Sequence, residues 1–208
     1  MGRRPLISRD EAVRAALDIV DTDGPGALSL ERVARKLGVK APSLYNHFSD
    51  KAEILAEVAR AVLLEVPRAP DPAVGDDWKS WLVSASIAVR RTLLAHQRAA
   101  PIVVEYFPRG MLERLYAEHC RVLGEHGVPA DLRMFILEAT HRMTIGSAVC
   151  VATGRPAMAP PENPGDFDAG VVDALHTEDW SGDRFFTRML RAFLDGVEVQ
   201  MAQASRHP

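Results

Sequence analysis

Ser29–Lys51 reads SLERVARKLGVKAPSLYNHFSDK, and this stretch decides the fold. Leu30, Val33, Ala34 and Leu37 fall at i, i+3, i+4 and i+7, one apolar stripe on a short helix. Ser29 precedes the stripe as an N-cap whose hydroxyl can accept from a backbone amide. Gly38 stands where a left-handed residue ends that helix at little steric cost. Pro42 suits the first turn of a second helix, because its missing N–H removes a donor that has no partner there. Leu44, Phe48 and Ile54 are expected to pack inward, leaving Ser43, Tyr45, Asn46 and His47 on the outward side. Asp50 with Glu53 reads as a capping box that opens the next helix. Two short helices joined by a tight turn are the pattern that lays one helix in the major groove while the other braces it.

Working outward, Ser8 and Glu11 form a second candidate capping box, and Val13, Ala16, Leu17 and Val20 supply the stripe of a supporting first helix. Thr22–Ala27, with two glycines and a proline, ends it. Met1–Pro5 is a basic arm whose Arg3 and Arg4 suit a minor groove or a phosphate run. The flanking Arg32, Arg35, Lys36, Lys40 and Lys51 add to the same positive character.

The 208 residues are 47% hydrophobic, enough for a real core. Net charge is −3, which excludes a generally basic nucleic-acid coat. Residues 1–60 hold ten Lys/Arg against nine Asp/Glu, a net of +1, so the remainder carries −4. A specific DNA reader needs only a locally positive docking face. Neither a secretory signal nor an apolar run of the ~20 residues of a membrane span is present, so a cytoplasmic location without membrane contact is expected. Cys120 and Cys150 lack metal-type spacing and are expected to be buried thiols.

Beyond residue 50, helical periodicity predicts helices over roughly 50–66, 76–97, 101–107, 109–126, 129–152 and 181–203, with no strand and no repeat. Pro-rich breaks lie at 66–75 and 154–165, and the second, with the acidic stretch after it, reads as a mobile connection. The fold class is therefore all-α: a three-helix helix-turn-helix DNA-binding domain over 1–50, then a helical ligand-binding and dimerisation domain over 51–208. Leu132, Phe135, Ile136, Ala139, Met143, Gly146 and Cys150 recur at helical spacing, as do Phe186, Met189, Leu190, Phe193, Val197 and Met201. Two such helices paired across a two-fold axis would make a homodimer. Trp81, Ala85, Val89, Val103, Tyr106, Phe107, Met111, Tyr116, Phe135 and Met143 are candidate walls of an effector pocket, with Glu138 and His141 as polar handles.

Across Ser8–Leu64, and most specifically in Leu-Gly-Val-Lys-Ala-Pro-Ser-Leu-Tyr-Asn-His-Phe (37–48), the sequence resembles the tetracycline-repressor (TetR) family of bacterial transcription regulators. Trp78, Leu82 and Arg90-Arg91 are similar to the fifth helix of the family's namesake, and Thr144-Ile145-Gly146 to its eighth. The resemblance implies phosphate contacts from Ser43, Tyr45, Asn46, His47 and Lys51, and base contacts at Ala41 and Pro42. Glu31 sits where the namesake has a base-reading arginine, which implies a different operator under the same docking mode. The full expected DNA-facing set is Arg3, Arg4, Ser29, Glu31, Lys40, Ala41, Pro42, Ser43, Tyr45, Asn46, His47 and Lys51. At the namesake's drug and magnesium positions stand Val103, Pro67, Ala85 and Cys150, which implies no grip on a tetracycline–Mg²⁺ chelate.

The expected function is a ligand-responsive repressor that binds a palindromic duplex operator as a homodimer and is released by a small apolar or aromatic effector. No cofactor or metal is expected. A constitutive DNA-binding dimer without effector is the alternative. An all-α di-metal enzyme would need two Glu-x-x-His motifs plus two more carboxylates. Glu138-Ala-Thr-His141 supplies one, and its nearest echo, Asp173-Ala-Leu-His176, falls in the expected loop, so an enzyme is not expected.

Overall fold

Side-chain caps set where the chain turns helical. The structure, a computed structural model, describes residues 7–68, 70–73, 75–154, 165, 167–177, 180 and 182–204. Ser8 accepts from the Glu11 amide while Glu11 reaches back to the Ser8 amide at 2.8 Å, which starts helix α1 (Arg9–Asp23). Gly24 and a 3-10 turn at Pro25–Ala27 end it. Ser29 caps α2 (Leu30–Lys36), Pro42 opens the short α3 (Pro42–Tyr45), and Asp50 caps α4 (Lys51–Leu64). The remaining helices are α5 (Trp78–Ala95), α6 (Ala100–Glu105), α7 (Arg109–Glu125), α8 (Ala130–Ala152), α9 (Ala169–Thr177) and α10 (Asp183–Ala204). No strand occurs among the described residues.

Most of these bounds lie within a few residues of the periodicity reading. α9 is the exception. Residues 169–177 were expected in a loop, and Asp173 and His176 with them; both stand on a helix. Asp168 accepts from the Gly170 amide at 2.8 Å, a local cap that sits before a run of only nine residues. The expected connection over 154–165 lies almost wholly outside the described residues.

Two compact units form. The first comprises residues up to Val66 together with Thr92–Leu112; the second comprises Pro67–Arg91 and residues from Glu113 onward. In the first, one side of α1 (Ala12, Val13, Ala16, Leu17, Val20) is buried, as are Leu30, Val33, Leu44, Phe48, Ile54 and Val58. α4 packs on both α1 and α6. Each fully buried Leu, Val or Phe contributes roughly 1.5–3 kcal/mol of transfer free energy. Arg9 ties this unit together at the surface. Its guanidinium lies 4.6 Å from the Phe48 ring centroid, donates to the His47 carbonyl and pairs with Glu53 (2.7 Å) and Glu57 (3.2 Å).

The second unit buries Trp78, Leu82, Leu123, Ile136, Leu137, Phe186, Leu190 and Leu194 in one cluster. Arg90 is 2% exposed, pairs with Asp183, donates to Ser147 Oγ at 3.0 Å and lies over the Phe186 ring. The Thr140 and Thr144 hydroxyls, buried in α8, donate back to the Ile136 and Thr140 carbonyls at 2.8 and 2.7 Å. Cys150 is exposed and Cys120 half-buried, which corrects the expectation of two buried thiols: Cys150 lies in the last turn of α8 on its outward side. No helix of the described residues is long and apolar enough to cross a membrane.

Candidate nucleic-acid interface

The turn between α2 and α3 is built by Gly38. Its φ of 68° is a conformation that side chains with a Cβ rarely adopt, and it lets the Val39 amide bond back to the Ala34 carbonyl at 3.0 Å. That closes α2 and redirects the chain into α3. Leu44 (fully buried) and Phe48 anchor α3 inward, and the His47 and Phe48 amides both bond to the Leu44 carbonyl at 2.9 Å. Opposite them, Pro42, Tyr45 and Asn46 are exposed, and Ala41 and Ser43 are half-buried. Lys40 and Lys51 flank this face and are exposed. The arrangement is a short rigid turn offering hydroxyl, amide and ammonium groups outward, chemistry suited to phosphate oxygens and base edges.

Four expected residues sit differently from a simple outward reading. His47 is half-buried, its ring tilted 6.4 Å from Phe48 and its Nε2 enclosed without a hydrogen-bond partner, while its carbonyl accepts from Arg9. Ser29 spends its hydroxyl on the Arg32 amide at 3.1 Å. Tyr45 is 52% exposed, but its O–H donates to Glu31 Oε1 at 3.0 Å. Glu31 is exposed, and its own backbone amide with the Tyr45 and Ser29 hydroxyls holds its carboxyl below the ordinary range. Arg3 and Arg4 lie outside the described residues.

The flanking positive charge is smaller than a count of residues suggests. Arg32 pairs with Asp23, and Lys36 lies 3.4 Å from Asp18, so both are neutralised within the protein. The box expected at Asp50–Glu53 is half formed. Asp50 accepts from the Glu53 amide at 2.9 Å, but Glu53 turns to the Ser49 amide (2.7 Å) and to Arg9 rather than to Asp50. The Ser49 amide and the Arg9 guanidinium, with the Ser49 hydroxyl, hold the Glu53 carboxyl at about 2. Arg9 therefore braces the turn between α2 and α3 from behind. Sequence reasoning missed it because its partners stand 38 to 48 residues away.

The expected effector residues divide between the units. Val103, Tyr106, Phe107 and Met111 belong to the first, where Val103 is 0% exposed in the core. Trp81, Ala85, Val89, Tyr116, Phe135, Glu138, His141 and Met143 belong to the second. There, Tyr116 donates to Glu138 at 2.8 Å and stacks edge-on with His141 at 6.0 Å, while Trp81 meets His119 edge-on at 4.8 Å. Burial pushes the His119 and His141 pKa values down and the Tyr116 value well up, the last helped by Glu138. Phe135 does not join them. It is 51% exposed on the outer side of α8, 5.7 Å from Phe193, and lines an open depression of about 480 Å³ with Met134, Glu138, Ala139 and Arg142. No cluster of three or more His, Cys, Asp or Glu side chains suited to a metal occurs among the described residues.

Residues 12–58 match the family model described as bacterial regulatory proteins, tetR family. The chain is 31% identical to the tetracycline repressor protein class A of transposon 1721 from Escherichia coli, over 76% of this chain and 68% of that one. It is 26% identical to the class D tetracycline repressor of Escherichia coli, over 94% of this chain and 91% of the relative. Among solved structures, BioQ with its double-stranded DNA operator is similar at a TM-score of 0.62 and 26% identity, covering 72% of this chain and 90% of that one.

Proposed function

This chain belongs to the tetR family of bacterial regulatory proteins, and from that premise we propose that it is a transcriptional repressor that reads a palindromic operator as a homodimer and is released by a small molecule. The observation that carries the reading is the outward polar face of the Gly38 turn, Ser43, Tyr45 and Asn46 between Lys40 and Lys51, on helices whose other sides are fully buried. Residues 1–50 act as the reader, including the arm with Arg3 and Arg4, and 51–208 as the effector and dimerisation domain. BioQ's operator complex supports duplex DNA as the partner. Two-fold pairing supplies two readers for half-sites about 34–36 Å apart. The exposed α8 face around Met134 and Phe135, apolar on a helix already buried on its other side, supports self-association there.

A gel-shift titration on the DNA upstream of the protein's own coding region tests the reading. Specific binding that weakens steeply with salt is the expected result; no specific duplex binding at low salt overturns it. The half-buried ring pairs Trp81–His119 and Tyr116–His141 support an aromatic or apolar effector. Tetracycline–Mg²⁺ is expected not to bind, since Val103 is core, Pro67 is exposed and no carboxylate stands at Cys150; micromolar binding by isothermal titration would contradict this. A second reading, a constitutive DNA-binding dimer without effector, draws support from Phe135, which stands 51% exposed on α8. Thermal shift against a small-molecule library separates the two, as a ligand at 100-fold its Kd adds about 2.7 kcal/mol.

A further inference from the structure

Tyr45 and Glu31 are both exposed, and the hydroxyl of one donates to the carboxylate of the other at 3.0 Å. A phenol carries a single proton. With that proton turned toward Glu31, the Tyr45 oxygen offers lone pairs only. A carboxylate likewise only accepts, at about four positions. The Tyr45 hydroxyl takes one of them, and the Glu31 side chain is otherwise exposed. The pair thus presents an acceptor-only surface between α2 and α3, beside Asn46.

Duplex DNA sharply limits what such a surface can meet. Phosphates are acceptors and anionic. In the major groove, guanine N7 and O6 and thymine O4 are acceptors too; the donors are the N4 amine of cytosine and the N6 amine of adenine. Adenine places its N7 acceptor beside that amine, which repels a carboxylate. Cytosine has only a C–H there.

The geometry points to Glu31 as a specificity-determining residue that selects a base pair presenting the cytosine N4 amine, with Tyr45 as the positioning residue that fixes its carboxylate. This rests on the DNA-reading assignment above. Guanine or thymine at that edge sets acceptor against carboxylate and is rejected. A phosphate bond from the Tyr45 O–H would require the Glu31 bond to break first.

The test is selection from a randomised duplex library with the full-length wild type, E31Q, E31A and Y45F, each checked by circular dichroism for an unchanged melt. Wild type is expected to enrich cytosine at one position per half-site, with about tenfold discrimination over guanine in competition titrations. E31Q is expected to move that position toward adenine, because glutamine pairs with both N6 and N7. E31A loses the preference there and keeps it elsewhere. Y45F retains cytosine with a smaller ratio. A selected sequence identical for wild type, E31A and E31Q overturns the role of Glu31 while leaving the DNA-reading assignment intact. So does an E31A protein that binds all duplexes more tightly by the same factor, since the carboxylate would then only repel. A wild type that selects no sequence overturns the assignment itself, and this inference with it.

Discussion

The two units hold their helices in place by different means. Around α3 the frame is polar at its joints: Ser8, Ser29 and Asp50 cap three helices, and Arg9 bridges α1 to α4 and the His47 carbonyl. Its outward face is polar as well. In the second unit, α8 and α10 bury Ile136, Leu137, Phe186 and Leu190 but leave Met134, Phe135 and Val199 in water. A polar face on a rigid frame is complete in one chain. Exposed apolar side chains on a helix buried on its other side are not, and invite another surface to cover them. The first unit should therefore depend on its own core and caps, and the second on a second copy.

The strongest challenge to that contrast is Phe48→Ala. Phe48 is 1% exposed and its ring carries the Arg9 guanidinium, so the variant loses about 3–5 kcal/mol and the first unit melts. Chemical denaturation followed by circular dichroism reads the loss, and a change below ~1 kcal/mol would show that Arg9 and the caps, not the core, hold α3. Phe135→Glu probes the other side. On an exposed face it should leave the protomer folded yet weaken self-association by about 2 kcal/mol or more, as truncation at an interface hot spot does. Sedimentation velocity that still finds a dimer at the wild-type concentration range would move the interface away from Phe135. Asp50→Ala is smaller. It leaves the Glu53 amide without its cap and should lower the melting free energy by about 1 kcal/mol.

Short-range chemistry was legible in the sequence. The Ser8–Glu11 box, the Ser29 and Asp50 caps, the left-handed Gly38 and the inward Leu44 and Phe48 all follow from residues within a few positions of one another. What was not legible depends on distant partners. Nothing local says that Arg9 will meet Glu53, that Tyr45 will give its proton to Glu31, or that Asp18 and Asp23 will neutralise Lys36 and Arg32. Periodicity also identifies an apolar helix without saying which side the fold covers. Phe135 and Ile136 are neighbours in one helix; the first is half in water and the second fully buried. α9 escaped for the opposite reason: nine residues after an acidic, proline-rich stretch give too short a pattern to stand out.

His96 joins neither list, and it supplies the finest test of how the first unit is held. Its Nδ1 lies 2.7 Å from Asp21, on α1, and its Nε2 lies 2.9 Å from Glu65, just after α4. Only the imidazolium can donate from both nitrogens at once. Burial alone would lower the His96 pKa; the Glu65 and Asp21 carboxylates outweigh it and hold the value above the ordinary 6.5. Arg98, two residues on, is turned to the Thr22 carbonyl. A folded pKa above the unfolded one means that this clasp stabilises fully below the unfolded value and is lost as pH rises through the folded value. Thermal stability of the wild type should therefore fall between about pH 6 and pH 9 by more than that of His96→Gln, which keeps the ring's size and polarity but cannot gain the proton. Parallel curves for the two proteins, or an NMR titration placing the His96 ring at or below its ordinary value, would mean that the His96 clasp adds nothing to the Arg9 pairs and apolar contacts that join α1 and α4.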